Sequence, residues 1–357
     1  MIADILRREP YSIPQAEKEQ LLAAGLSELT RHHAARSPAY ARILEALGHD
    51  PTADRAIVDQ PFLPVSLFKT HDLKSVSDEE VRIVMTSSGT TGQAVSRIAV
   101  DNDSARMQTR ALASSMMEVL GKARLPMLVI DSPTTVKDPR LLSARGAGVL
   151  GMMQFGRDHA FALNDDMTPN YMAIESFLER VEGRPFFMFG FTFMVWLHLK
   201  SLLEVRRFDL SAGILAHSGG WKKLQEIAVD NTVFKVALKR LSGLTRIYNF
   251  YGMVEQIGTV FMEGEDGLLY PPSFADVIVR RPGSFEPAEL GEPGIIEVVS
   301  LLPRSYPGHV LLTEDWGTVH GVDTGVGGRL GKAFTIQGRV AKAELRGCSD
   351  VIAANVA

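Results

Sequence analysis

The sequence predicts an α/β layered protein carrying a smaller, mainly β subdomain, on three observations. A strand, glycine-rich loop, helix, strand rhythm runs from Val81 to Ile130, the arrangement of a layered α/β domain. Leucines at helical spacing mark the N-terminal stretch, and from Ala275 short β-branched runs separated by Pro-Gly turns replace the alternation.

Residues 14 to 47 read as two helices, with Leu21, Leu22, Leu26 and Leu29 on one face and a break at Ser37-Pro38. They form an expected N-terminal cap over residues 1–60. After the proline-punctuated stretch Pro61 to Leu67, Val81–Met85 reads as a strand that ends in small polar residues. Asn102 to Leu120 has a polar start and apolar positions Met107, Ala111, Leu112, Met116 and Val119, an amphipathic helix leading into a strand at Met127 to Ile130. Thr168-Pro169 is expected to cap a helix that ends at Val181, and 186–197 supplies a buried element. Residues 61–270 thus make an α/β core. Val277–Val279 and Ile295–Val299 open a β-rich subdomain at 271–340, and 341–357 forms a tail.

Composition narrows the class. With 357 residues, 45% hydrophobic and 22% charged, the chain can bury a large core. A net charge of −4 gives no basic footprint for phosphate backbones, so nucleic acid is not an expected partner. The longest apolar run, Phe186 to Leu199, is too short to span a bilayer and contains His198; no transmembrane helix is expected. The N-terminus lacks a basic segment followed by an apolar stretch, so the cytoplasm is the expected location. A single cysteine, Cys348, can make no internal disulfide and is either filler or a reactive thiol.

The segment Thr86, Ser87, Ser88, Gly89, Thr90, Thr91, Gly92 carries the first chemistry. Glycines admit an anion to backbone N–H groups, and the hydroxyls add neutral donors around phosphate oxygens. The loop lacks a Gly-Lys-Ser/Thr ending, so it is not a Walker loop, and by itself it could be a polar turn. Downstream stand Asn249–Glu255, Leu312–Asp315 and Gly338-Arg339, in that order. With these segments the chain resembles the adenylate-forming superfamily of acyl-CoA synthetases and adenylation domains. That resemblance implies a large N-terminal adenylation domain that uses ATP and Mg2+. Tyr251 would stack on adenine with Gly252 beside it, and Glu255 would help hold magnesium, which prefers hard oxygen ligands. Asp315 would accept bonds from both ribose hydroxyls, and Arg339 would reach the nucleotide. Gly219 and Gly220, in His217–Lys223, would bring bare backbone to the adenine. Val254 departs from the threonine common before that glutamate, removing one hydroxyl contact.

One branch is resembled more closely, the acyl-protein synthetases of the bacterial luciferase fatty-acid reductase system, the LuxE family. The resembling pieces are Pro61–Lys69, Ser87–Ile98, Leu141–Gly148, Phe189–Phe193, His217–Lys223, Ser305–Gly308 and Lys342–Ser349, nearly end to end. The resemblance implies activation of a fatty acid to acyl-AMP, transfer to Cys348 and delivery to a partner thiol on an acyl reductase or carrier protein. Because the sequence ends 18 residues after Arg339, the mobile C-terminal lid of ordinary ligases is expected to be absent. A tethered thiol would make the transfer intramolecular. A free thiol with a pKa near about 8.5 would need activation, for which Lys342 and Arg346 are close in sequence. Lys222 is the first candidate to stand in for the lid lysine, with Lys223, Lys69 and Lys332 as others. His217 could be a base or phosphate donor, or a structural histidine. Phe189, Phe191 and Met253 are candidates for an acyl pocket, although such aromatics also build plain core. Two other readings share these motifs: a short acyl- or aryl-CoA ligase using CoA directly, and a non-catalytic acyl- or nucleotide-binding protein.

Overall fold

The computed structural model describes residues 1–87, 95–137, 144–221 and 226–340. Its strands in chain order are β1 (Leu63–Pro64), β2 (Ile83–Thr86), β3 (Arg97–Val100), β4 (Leu125–Val129), β5 (Gly156–Phe161), β6 (Phe186–Phe191), β7 (Gly213–Ser218) and β8 (Arg246–Tyr251). They continue with β9 (Phe261–Glu263), β10 (Leu269–Tyr270), β11 (Ala275–Arg280), β12 (Pro293–Ser300), β13 (Val310–Val322) and β14 (Lys332–Arg339). Contacts divide the chain into two compact units, Met1–Ser115 with Gly252–Ala357, and Met116–Tyr251.

The first unit is built on antiparallel pairing in the order β11-β12-β13-β14-β10-β9, with β1 parallel to β13 and a separate β2–β3 hairpin. Strands β11 and β12 are buried along almost their whole length, so both faces are covered and their Val and Ile runs show little alternation. The helix Gln15–Arg36 buries Lys18, Leu22, Leu26, Leu29 and His33, residues spaced three, four or seven apart. Lys18 is buried because it reaches Asp276 on β11 at 3.7 Å and the Pro271 carbonyl at 3.2 Å. Asp276 also receives Gln15 Nε2 at 2.7 Å and Lys332 Nζ at 3.1 Å, so the buried carboxylate has several donors. The helix ends at Ser37, whose hydroxyl caps the next helix, Pro38–Ala46, with proline in the first turn. The expected break therefore stands where the sequence put it.

The second unit is a five-stranded parallel sheet in the order β8-β7-β6-β4-β5. Helices Tyr171–Val181 and Asn231–Ser242 pack on it through Phe177, Phe234 and Leu238, against Leu128, Phe186 and Leu215. Two boundaries correct the expectations, and the buried element expected at 186–197 takes a definite form. The apolar run from Phe186 is strand only to Phe191, then turns helical through Thr192–Met194, Val195–Lys200 and Ser201–Val205; apolarity alone does not distinguish a buried strand from a buried helix. The helix after Pro169 starts at Tyr171 with Asn170 as its cap, while the Thr168 hydroxyl donates to Asp166. In the first unit, β2 starts two residues later than expected and leaves Ile83 and Val84 exposed. No helix among the described residues is long and apolar enough to cross a membrane.

Candidate active site

The expected nucleotide residues fall in both units. In the first, β2 and β3 pair with Thr86 opposite Arg97. Just beyond, Ser87 N–H donates to the Ser96 carbonyl at 3.2 Å, and Ser96 N–H donates to the Ser87 hydroxyl at 2.9 Å. These bonds tie Ser87 to Ser96. Thr86 and Ser87 of the Ser/Thr/Gly segment are thus placed, whereas Ser88, Gly89, Thr90, Thr91 and Gly92 lie outside the described residues.

Glu255 sits in the turn Val254–Gln256, only 7% exposed. The Gln256 amide fastens that turn by donating to the carbonyls of Val298 at 3.2 Å and Gly308 at 2.9 Å. Gly308 lets this packing occur, since a Cβ there would lie 2.5 Å from the Glu255 carbonyl oxygen. The Ser-Tyr-Pro-Gly segment is therefore a support for the glutamate. Burial raises the Glu255 pKa, while neighbouring Ser96 and the charge of Lys69 act in the opposite direction. A buried carboxylate that is costly to ionise gains most from a cation beside it.

Charged side chains from three elements gather near it. Lys69, last residue of the turn Val65–Lys69, faces Glu314 at 3.6 Å. Arg339 reaches Glu314 at 3.8 Å and Asp315 at 3.9 Å. The antiparallel register of β13 and β14 sets Asp315 opposite Arg339, so two segments named separately in the sequence stand side by side. Gly252 is exposed and Met253 half-buried just before the Glu255 turn. Lys332 stands apart from these groups, 14% exposed in its side chain and held by Asp276 and the Val277 carbonyl, as a structural anchor.

In the second unit the expected residues lie at the carboxyl ends of the parallel strands, where open α/β sheets bind ligands. β7 ends at Ser218, whose hydroxyl donates to the Phe250 carbonyl at 2.8 Å, and β8 ends at half-buried Tyr251. Gly219 follows with φ +82°, and a Cβ there would meet the Phe191 ring at 3.1 Å. Gly220 is exposed and faces open space. Phe191 is half-buried with Gly148 on another side, where a Cβ would lie 2.8 Å from its ring; Phe189 is core, stacked on Phe250. Phe191 is thus the more exposed of the two, with Phe189 packed edge-on against it at 5.7 Å between ring centroids.

His217 has the surroundings of a structural histidine, one of its two expected roles. It is 2% exposed, its Nδ1 is 2.9 Å from the Thr192 hydroxyl, and its ring lies 4.5 Å from that of Phe234. Burial pushes its pKa down to about 3, too low for a base at neutral pH. Lys222, Lys223 and Cys348 lie outside the described residues.

Sequence reading missed Glu314 and Ser96. Glu314 stands beside Asp315 in a segment already singled out, yet its partner Lys69 comes from the other end of the chain. Among the described residues no group of three or more His, Cys, Asp or Glu could enclose a metal ion. A lone glutamate suits magnesium that brings its own phosphate and water oxygens.

An α/β fold with these segments at strand ends is that of the adenylate-forming enzymes. A solved 2-hydroxyisobutyryl-CoA ligase, in an open conformation with 2-HIB-AMP and CoA, superposes with a TM-score of 0.69 at 16% identity, covering 94% of this chain and 78% of that one. Two curated relatives are each called "Long-chain-fatty-acid--luciferin-component ligase". The one from Vibrio harveyi is 23% identical over 93% of this chain and 87% of its own length. The one from Aliivibrio fischeri is 24% identical over 72% of this chain and 69% of its own length. The family description "Acyl-protein synthetase, LuxE" matches residues 1–357, and the chain belongs to that family of ligases.

Proposed function

We propose that this enzyme activates a fatty acid with ATP and Mg2+ to acyl-AMP, transfers the acyl group to its own Cys348, and passes it to a thiol of an acyl reductase or carrier protein. The single observation that supports the activation step is that Glu255, beside Ser96 of the Ser87–Ser96 pairing, also feels the charges of Lys69 and Glu314, while Glu314 and Asp315 pair with Arg339. Long-chain substrate is supported by the names of the two relatives.

In this reading, magnesium offsets triphosphate charge and would be held by Glu255. Asp315 accepts the ribose hydroxyls, and Tyr251 with the bare backbone of Gly219 and Gly220 receives the adenine. An acid carboxylate oxygen bonds to the α-phosphorus as the bond to the bridging oxygen breaks, and pyrophosphate leaves with that electron pair. The Cys348 thiolate then attacks the acyl carbon and AMP departs with its oxygen. Gathering the groups in one molecule makes this second step intramolecular.

Intact mass tests the reading. With ATP, Mg2+ and a panel of acids but no CoA, the protein should gain one acyl group, and Cys348→Ser should gain none while retaining pyrophosphate exchange. Acyl-CoA formation on adding CoA, undiminished by Cys348→Ser, would instead assign direct CoA ligation.

A further inference from the structure

Adenylation brings a carboxylate up to a triphosphate, two anions that repel. Charge must build on the α-phosphoryl oxygens as the new bond forms, so a cation held there lowers the barrier more than one in bulk water. Among the described residues, two cations reach Glu314, and they differ in freedom. Arg339 contacts two carboxylates from a side chain that is 78% exposed, anchored at the end of β14 opposite Asp315. Lys69 rises from a short turn whose Val65, Leu67 and Phe68 are buried, so its backbone is fixed, while its side chain is 35% exposed. Among the described residues it pairs with Glu314 at 3.6 Å, and its charge is also felt at Glu255. Lys332 has no such freedom, being committed to Asp276 and Val277.

We propose that Lys69 is the cation of the adenylation step, resting against Glu314 in the free enzyme and moving onto an oxygen of the acid carboxylate or α-phosphate as acyl-AMP forms. The assignment rests on the proposed adenylation activity. Lys69 transfers no proton: the carboxylate supplies the electron pair, the α-phosphorus accepts it, and pyrophosphate takes the pair from the broken bond. A compact ammonium on a flexible stem suits exchange between two oxygen partners, whereas a guanidinium keeps the charge but imposes a planar fork. Glu314 in this account is a positioning residue, a resting partner that keeps the ammonium at the site.

Acid-dependent exchange of labelled pyrophosphate into ATP, measured with the full-length protein, tests the assignment through Lys69→Ala, Lys69→Arg, Glu314→Gln and the double variant Lys69→Ala/Glu314→Gln. Melting temperature verifies folding of each. Loss of Lys69 should lower the exchange kcat by about 100-fold, the range seen when one oxyanion donor is removed. Lys69→Arg should recover part of that loss, and the double variant should recover none. Exchange by Lys69→Ala within about two-fold of the unmutated protein would overturn the assignment. So would recovery in the double variant, because Lys69 would then serve only to neutralise Glu314. Exchange absent from the unmutated protein with every acid would overturn the adenylation reading itself, an outcome distinct from both.

Discussion

Gly219 and Gly220 are neighbours with different physical duties. At φ +82° and with the Phe191 ring 3.1 Å from a notional Cβ, Gly219 suits few other residues. Gly220 faces open space, so the folded chain makes no steric demand for glycine there. Gly219→Ala should therefore destabilise by about 1–2 kcal/mol in urea unfolding. Gly220→Ala should leave unfolding within about 0.5 kcal/mol but weaken ATP binding, as titration calorimetry would record, if its backbone lies against the base. Unchanged ATP affinity in Gly220→Ala would remove that residue from the nucleotide site. Asp315 and Arg339 could be singled out because their segments resemble known ones, and the register of β13 and β14 sets them opposite each other. The partnership of Lys69 with Glu314 was not, since sequence spacing carries no information about a turn near the start meeting a strand near the end.

At the scale of elements, the sequence was most informative where period and punctuation agree. Asn102–Leu120 has both bounds as read, and Ser37-Pro38 breaks the N-terminal helices because the cap and the fixed proline φ point the same way. Boundaries slipped where two residues compete for one role. Thr168 and Asn170 can both cap; the turn that bonds Thr168 to Asp166 uses its hydroxyl locally, leaving Asn170 to accept from Ala173 N–H at 3.0 Å. Asn170→Ala should cost about 1 kcal/mol of stability. Thr168→Ala should perturb the preceding turn without the fraying of Tyr171–Val181, a contrast that amide hydrogen exchange on that helix resolves. The Phe186 run was legible as buried but not as strand then helix, because both states hide the same side chains.

For the whole molecule, buried histidines link stability to acid. His33 and His309 stack 4.9 Å apart in the first unit. His33 Nδ1 lies 2.8 Å from the Ser75 hydroxyl and Nε2 3.1 Å from the Pro303 carbonyl, while His309 Nε2 lies 3.0 Å from the Thr30 hydroxyl. Burial holds His33 well below its ordinary value and pushes His309, like His217 in the other unit, down to about 3. The folded pKa is depressed, so unfolding takes up protons and stability falls as pH drops below the unfolded value near 6.5. His217 and His309 together should cost about 2.5 kcal/mol between pH 7 and about pH 5.5. Glu255 and Glu297, raised by burial, act in the opposite direction as they protonate. His309→Gln should flatten the pH dependence of the urea midpoint by about one proton. An unchanged slope would mean that His309 does not remain neutral in the fold.

The two-part first unit bears on how the protein is born. Lys18 and Gln15 leave the ribosome early, but their shared carboxylate, Asp276, follows only after the whole of Met116–Tyr251 has been synthesised. The N-terminal helix must wait with its lysine unneutralised. The parallel-sheet unit, a single continuous stretch, has all of its own strands in hand first. Vectorial synthesis therefore runs against the usual N-terminal-first order: the middle of this chain can mature while its beginning still awaits its end.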